Sequence, residues 1–111
     1  MAKYTVTISG NGDTQICNIK RPSGADNWVG TVFIYGTFGS GTITLQLSPN
    51  AGTTKITAKD SSGTAVTATA NDIRVIPVSG TGSSNSENIS IWVNMAGSTS
   101  PSVTVEVWDN I

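Results

Sequence analysis

The sequence predicts an all-β fold: an antiparallel β-sandwich, jelly-roll-like, with eight or nine short strands. Apolar runs rich in β-branched and aromatic residues recur about every ten residues, and Gly, Ser, Asn and Pro separate them. No stretch shows the 3.6-residue period of an amphipathic helix. The chain contains 16 Thr, 14 Ser, 12 Gly and nine Asn; threonine suits half-solvated strands, and the other three suit turns. This spacing is typical of sandwiches and jelly rolls, which periodicity alone does not separate.

At 111 residues the chain has the length of one domain, and we expect residues 1–111 to form a single β-sandwich. Its first run, residues 3–8, alternates so that Tyr4, Val6 and Ile8 share one face. A glycine-bearing turn follows. We expect this run to be an edge strand of its own domain. The alternative is an N-terminal arm, residues 1–11, that pairs with a neighbouring copy.

The remaining runs follow in order, and turn residues end each of them. Residues 60–63, Asp-Ser-Ser-Gly, predict a second hairpin, Pro77 marks an edge or a bulge, and residues 80–88 have the composition of a loop. The predicted strands are residues 3–8, 14–19, 32–35, 43–47, 53–59, 64–70, 73–79, 87–94 and 102–109.

Residues 31–50 form the predicted centre of the fold. The runs 32–35 and 43–47 flank a glycine-rich connector, residues 36–41, which predicts a β-hairpin because glycine allows the positive φ of a tight reversal. The second run alternates apolar and polar residues. The first run is apolar on both faces, as expected of a central strand that is covered on both sides.

Two tryptophans lie on the polar side of their strands. Trp92 alternates with apolar neighbours, and Trp108 shares its side with Glu106, opposite a row of valines. Because large aromatic side chains are enriched in interfaces, the candidate protein-interface residues are Trp92, Trp108 and, at the tip of the predicted hairpin, Phe38. The alternative is that a second sheet, a loop or the chain terminus covers them within the monomer. If the last two strands form a hairpin, the two tryptophans lie at its opposite ends.

Charge and cysteine content exclude several classes of protein. Six basic residues against seven acidic ones give a net charge of −1, without a basic stripe, so nucleic-acid binding through phosphates is not expected. The single cysteine, Cys17, forms no intrachain disulfide and is expected in the core.

No apolar signal segment begins the chain, and no run approaches the length of a membrane span. We expect synthesis in a cytoplasm and no membrane partner.

The sequence contains no histidine, the commonest general base and metal ligand. Ser-His-Asp and Cys-His sites are therefore excluded, and no segment has the ligand spacing of a zinc or calcium site. Most of the carboxylates lie beside Gly, Asn or Ser in predicted turns, where Asp is common. Glu106 lies mid-strand on the polar side, where a solvated residue is expected. We predict no enzyme, no catalytic residue, no metal and no cofactor.

Three blocks of the sequence resemble a known family. GTFGSGTITLQLSPNAGTT, residues 36–54, is similar to the G-x-F-G-x-G-T-V-T-L-Q-x-S-P-D-G-G-T-T-W segment of small virion proteins from tailed bacteriophages. Such proteins often continue with D-x-x-G-T-A-V-T-x-T-A-N-G, which DSSGTAVTATAN, residues 60–71, matches. They close with V-S-G-A-T-G…S-I-S-V-W-V, similar to residues 78–82 and 89–93. The chain departs from the pattern at Lys55, where Trp is usual, at Asn50-Ala51, where Asp-Gly is usual, and at Asp72, where Gly is common.

The resemblance implies a virion part, most directly a head decoration (cement) protein that binds the outside of the capsid, often as a trimer. The implied partners are the major capsid protein and further copies of the chain, and the implied location is the capsid surface after synthesis in the host bacterial cytoplasm. It transfers no catalytic or binding residues. Two alternatives stay open: a carbohydrate-binding sandwich in which Trp92 and Trp108 stack on sugar rings, and another virion part such as a tail, fibre or connector subunit.

Overall fold

Two antiparallel sheets pack face to face in the computed structural model of the chain, which describes residues 3–19, 27–79 and 89–109. The strands in this part of the chain are β1 (Lys3–Ile8), β2 (Gly12–Asn18), β3 (Asn27–Thr37), β4 (Thr42–Ser48), β5 (Ile56–Thr57), β6 (Thr67–Ala68), β7 (Asp72–Ser79), β8 (Ser90–Ala96) and β9 (Ser102–Asp109). One sheet has the order β1-β9-β3-β7, and the other has the order β2-β8-β4-β5, with β6 also paired to β4. The predicted antiparallel sandwich is confirmed.

Consecutive long strands lie in opposite sheets. Every connection from β1 to β4, and every connection from β6 to β9, crosses from one sheet to the other. The two sheets therefore interleave along the chain, so that each strand pairs with partners distant in sequence. The result is an antiparallel β-sandwich of one four-stranded and one five-stranded sheet.

The predicted hairpin at residues 31–50 is wrong. β3 pairs with β7 and β9, whereas β4 pairs with β8, β5 and β6. The glycine-rich connector instead carries the chain across one end of the sandwich, with Gly36 and Gly39 at φ values of 133° and 58°. The apolar sides of the two strands thus belong to opposite sheets, with the core between them. The last two strands, β8 and β9, likewise lie in opposite sheets and do not form a hairpin.

The turn at residues 60–63 does reverse the chain as predicted. The Asp60 carboxylate accepts hydrogen bonds from the backbone N–H groups of Ser62 and Thr64, at 2.9 Å and 3.0 Å, which is the pattern of an Asx turn. An isolated bridge pairs Lys59 with Ala65 on either side of it. The regular strands around this turn are much shorter than predicted, two residues each, because the segment leaves the sheet to cover its edge.

The core fills the space between the sheets. Inward side chains alternate along the long strands, and Trp28, which begins the inward row of β3, is fully buried. Cys17 is buried, as predicted. The largest fully buried side chains are Trp28, Ile19, Ile34, Ile43, Leu45, Ile76, Ile91, Met95, Val32, Val66, Val93 and Val103.

Arg74 closes one edge of the sandwich. Its Nε donates to Asp72 at 2.8 Å and one terminal nitrogen donates to Asp60 at 3.1 Å. The same guanidinium donates to the backbone carbonyls of Ala65 and Thr67, each at 3.3 Å. One side chain of the first sheet therefore holds the segment that covers the neighbouring edge of the second sheet.

The edge strand β1 pairs with β9 of the same chain along its whole length, from Lys3 opposite Trp108 to Ile8 opposite Val103. Its Tyr4, Val6 and Ile8 face inward and pack on the core. The outward side of this sheet, which the core does not cover, positions the candidate site.

Candidate interaction surface

The outer side of the β1-β9-β3-β7 sheet carries a group of uncovered apolar side chains. Ile73 is 61% exposed, Tyr35 41%, Val75 40% and Trp108 36%, and Phe33 is half-buried among them. We call these five residues, together with Glu106, the aromatic face. Single exposed apolar residues are ordinary on a protein surface, but a contiguous group on one sheet makes this side of the sandwich the candidate interaction surface.

Strand register brings these residues together. Thr31 of β3 lies opposite both Trp108 of β9 and Val75 of β7, and Phe33 lies opposite both Glu106 and Ile73. Because side chains alternate between the two sides of a strand, all of these outward positions share one surface. Residues that are far apart in the chain therefore become neighbours only because β9 pairs with β3: Thr31 and Trp108 are 77 positions apart, and Phe33 and Glu106 are 73 apart.

Glu106 lies between two of the aromatic rings. The Tyr35 hydroxyl donates a hydrogen bond to Oε2 of Glu106, and the Trp108 indole Nε1 donates to Oε1 at 3.1 Å. These two donors, the Tyr35 hydroxyl first, lower the pKa of the Glu106 carboxyl, and the charge of Lys3 lowers it further. The same hydrogen bond raises the pKa of Tyr35. Glu106 is therefore ionised at neutral pH, with both oxygens oriented by neutral donors.

A cation already lies over part of this surface. Nζ of Lys3 is 5.2 Å from the centroid of the Trp108 ring, a distance at which an ammonium group is attracted to the negative face of an indole. The sequence of β1 places Lys3 there because it is the residue opposite Trp108 in the register.

A shallow concavity of about 570 Å³ lies over the aromatic face, within the size range of ligand sites. Its lining is almost entirely apolar and aromatic, with the Glu106 carboxylate as the exposed charged group of the aromatic face. The lining residues are Val29, Thr31, Phe33, Tyr35, Glu106, Trp108 and Asp109.

Trp92 lies on the outer side of the other sheet, away from Trp108, and a loop of its own chain covers part of it. A Cβ atom placed on Gly52 would lie 2.4 Å from the Trp92 ring, so the loop backbone is in close contact with it. Lys55 Nζ is 4.7 Å from the ring centroid, and the indole N–H donates to Ser90 at 2.8 Å. Lys55 also pairs with Asp13 at 3.3 Å.

Phe38 lies in the core at 7% exposure. The turn that carries it hydrogen-bonds back to the chain: the Thr99 N–H donates to the Gly39 carbonyl at 2.9 Å. Phe38 therefore has the internal cover that was the alternative to an interface role. The structure does not bring the three candidate aromatic residues together, and only Trp108 presents a broadly exposed ring.

Sequence reasoning missed Phe33, Tyr35, Ile73 and Val75 as surface residues. The sequence does indicate outward apolar residues on β3, because residues 32–35 are apolar on both sides of the strand. That pattern predicts a strand covered on both faces, whereas β3 is covered by the core on one side only and leaves Phe33 and Tyr35 outward. Glu106, which the sequence placed on the polar side of its strand, is in fact surrounded by aromatic neighbours.

The aromatic face presents mostly apolar side chains and one carboxylate. Within residues 3–19, 27–79 and 89–109, no three Cys, Asp or Glu side chains come close enough to hold a metal ion. The Glu106 carboxylate accepts hydrogen bonds from Tyr35 and Trp108, and Asp109, which also lines the concavity, is buried. The part of the chain that is described contains no helix long and apolar enough to cross a membrane.

Comparison with known proteins gives only weak likenesses. No protein-family model matches the chain, and no curated protein matches it. Among solved structures, the Cyanophage Pam1 capsid asymmetric unit has 20% identity and a TM-score of 0.46, with 95% of this chain and 79% of that chain covered. The Yersinia pseudotuberculosis-derived mitogen has 19% identity and a TM-score of 0.47, with 96% and 82% covered. The infectious bursal disease virus VP2 subviral particle has 12% identity and a TM-score of 0.33, with 95% and 32% covered. Likenesses this low do not bear on function.

Proposed function

We propose that the chain is a non-enzymatic structural protein of a tailed-bacteriophage virion: a decoration (cement) protein that binds the outer capsid surface and stabilises the head. The observation that carries this proposal is the aromatic face, a contiguous apolar group that the sandwich leaves uncovered. Such a group is typical of a surface that binds another protein. The resemblance of residues 36–54 and 60–71 to small virion proteins favours the virion as the place of attachment.

Trp108 is the candidate interface residue on which this proposal depends. Its ring is exposed and its indole N–H donates to Glu106, and aromatic side chains of this kind contribute a large share of interface energy. Trp92 and Phe38 do not carry this proposal, because a loop of the chain partly covers the first and the core encloses the second.

The size of the aromatic face favours several linked copies. At strand and residue spacings of about 4.8 Å and 3.4 Å, the face covers on the order of 300 Å², less than the roughly 800 Å² per partner of a stable interface. A homotrimer would present three such faces to neighbouring copies of the major capsid protein, and the second and third contacts would then form at high effective concentration. Because the matching sites occur together only on the assembled shell, binding would stabilise that shell.

The test is binding to capsids stripped of accessory proteins. Light scattering of the purified protein measures its molar mass, and co-sedimentation with the stripped shells measures attachment. We expect a trimer that sediments with the shells and raises their melting temperature. Replacing Trp108→Ser is expected to weaken attachment about tenfold or more while the melting temperature of the free protein stays near that of the wild type.

Ile56→Ser is the matched control. Ile56 is also an exposed apolar residue, at 60%, but it lies in β5 of the opposite sheet. Its replacement is expected to leave attachment unchanged. A wild-type protein that remains in the supernatant with intact shells present contradicts the proposed function, and equal losses for the two variants contradict the placement of the interface on the aromatic face.

A further inference from the structure

The aromatic face contains a charge that any protein partner must accommodate. Glu106 is ionised, and its two oxygens accept hydrogen bonds from neutral donors of its own chain, the Tyr35 hydroxyl and the Trp108 indole. Among the described residues, no Lys or Arg nitrogen lies within 4.0 Å of it; the ammonium group of Lys3, which lies over the Trp108 ring, attracts it only from farther away. Covering an ionised carboxylate without an opposite charge is costly, and two neutral hydrogen bonds offset only part of that cost.

The rings around Glu106 accept the same kind of group that its charge attracts. The negative faces of Trp108, Tyr35 and Phe33 favour a cation, and Lys3 over Trp108 already demonstrates such a contact within the chain. Charge and ring faces therefore select one chemistry for the occupant of the concavity: a positively charged group with a flat or extended apolar part.

From this the geometry points to a basic side chain of the capsid partner, most suitably an arginine, that stacks on Trp108 and Tyr35 and pairs its guanidinium with Glu106. Arginine fits better than lysine because its planar guanidinium stacks on aromatic rings and donates to both oxygens of a carboxylate. Arginine is also enriched with Trp and Tyr among the residues that dominate interface energy. The partner's identity as a capsid protein rests on the proposed function; the preference of the concavity for a guanidinium does not.

The first experiment tests the concavity without any capsid. N-acetylarginine amide and N-acetylcitrulline amide, which has a neutral side chain of nearly the same shape, are titrated separately into isotope-labelled protein. The indole N–H signal of Trp108 is followed by NMR. We expect the arginine compound to shift this signal in a saturable way and the citrulline compound to shift it several-fold less. In Glu106→Gln, which keeps the size of the side chain, the response to arginine is expected to fall to the level of citrulline.

The second experiment measures attachment to stripped capsids as a function of salt. Glu106→Gln is expected to weaken attachment about tenfold and to reduce its salt dependence. Asp13→Asn removes the same charge from the opposite sheet and is expected to change attachment less than twofold. A melting curve of each variant shows whether it is folded.

Each outcome decides between distinct possibilities. Equal responses to arginine and citrulline, or an arginine response unchanged in Glu106→Gln, overturn the inference. A response to N-acetylglucosamine or another sugar with none to arginine also overturns it and favours a saccharide platform. If wild-type protein does not bind the stripped capsids but the NMR response to arginine depends on Glu106, the proposed function is wrong and the guanidinium site is supported. If capsids bind Glu106→Gln as well as wild type, the proposed function stands and the arginine contact is wrong.

Discussion

Glu106 shows how neighbours set the role of a single side chain. In the sequence it alternates with valines and has the pattern of a solvated strand residue. In the fold, Tyr35 reaches it from another strand and Trp108 from two positions along its own, and both donate to it. Its ionised state and its orientation therefore depend on two aromatic residues, which makes it the charged centre of an otherwise apolar surface.

Cys17 is expected to be unreactive in the folded protein. Burial, with a smaller effect from the charge of Asp109, raises the pKa of its thiol to about 12, so little thiolate is present near pH 8 and reagents have little access to it. Alkylation by iodoacetamide, followed by mass spectrometry, should be at least about a hundredfold slower in buffer than in guanidinium chloride. Equal rates in the two solutions would contradict the buried position.

A side chain at Gly52 is expected to destabilise the fold both through backbone strain at positive φ and through overpacking against Trp92. Gly63 provides the comparison, because a side chain there adds the backbone strain alone. Gly52 and Gly63 both have positive φ, 95° and 80°, but a Cβ atom at Gly52 would lie 2.4 Å from the Trp92 ring, whereas at Gly63 it would meet nothing within 4 Å. Replacing Gly63→Ala should cost about 1 kcal/mol from backbone strain. Replacing Gly52→Ala should cost about 2–4 kcal/mol, because overpacking is added to that strain.

Urea denaturation of the two alanine variants gives the comparison. A loss of stability at Gly52 that merely equals the loss at Gly63 would show that the loop does not press on Trp92. The same pair would then reopen the possibility that the Trp92 ring is free for a partner.

At the scale of elements, the two sheets are joined by more than their apolar sides. The long strands pack through the core, but the short strands β5 and β6 contribute only two residues each to sheet pairing. The segment around them is held by the Asp60 turn, by the Ser61 N–H donating to the Val75 carbonyl at 2.9 Å, and by Arg74. Polar contacts thus stabilise the part of the sandwich that has the least regular hydrogen bonding.

Arg74→Met is expected to loosen this edge. The variant keeps an extended apolar side chain but removes the donors to two carboxylates and two backbone carbonyls. Because the ion pairs are about one-fifth exposed on the arginine side, solvent screening limits the expected loss to about 1–3 kcal/mol. Arg74→Lys, which keeps the charge without the planar guanidinium, should lie between Met and wild type.

Thermal denaturation measures the total loss for both Arg74 variants. Hydrogen exchange of residues 58–68 shows whether the loss is local, with faster exchange expected there than in β3 or β9. A Met variant that is as stable as the wild type and exchanges at the same rate contradicts the role of Arg74 at the sheet edge.

At the scale of the whole molecule, the charge pattern sets how stability depends on pH. Three carboxyls have lowered pKa values: Asp13 chiefly through the Asn94 amide, Asp60 chiefly through the Thr64 N–H, and Glu106 chiefly through Tyr35. A carboxyl whose pKa is lower in the folded state contributes stability that is complete above its unfolded pKa. That contribution is lost as pH falls through the lowered, folded pKa.

The melting temperature is therefore expected to stay constant from about pH 7 to about pH 5 and to fall below about pH 4. The flat region follows because the chain has no histidine, the side chain that ordinarily titrates in that range. Calorimetry from pH 7 to below pH 4 tests both the constant melting temperature and its fall in acid. A change of several degrees between pH 7 and pH 5 would mean that a carboxyl with a raised pKa affects folding, whereas the pKa values of Asp13, Asp60 and Glu106 are lowered.

The sequence alone determined the all-β class, the positions of most strands and turns, and the inward sides of β1, β4, β8 and β9. These properties are local, because strand period, turn chemistry and alternation are all encoded within a few residues. It did not determine which strands pair. The glycine-rich connector at residues 36–41 suits a hairpin and a crossing between sheets equally well. The chain crosses because β3 and β4 each bury one apolar side in the core, from opposite sheets.

Only the tertiary structure decided which outward residues remain uncovered. Trp92 and Trp108 both share the side of their strand with polar residues, yet a loop from residues 49–55 packs on Trp92, whereas Trp108 is exposed. Phe33 and Tyr35 have the pattern of a doubly covered strand, yet nothing in the described chain covers them. Exposure depends on distant segments that pack, or do not pack, on a given side, so alternation along a strand predicts which way a side chain points but not what lies above it.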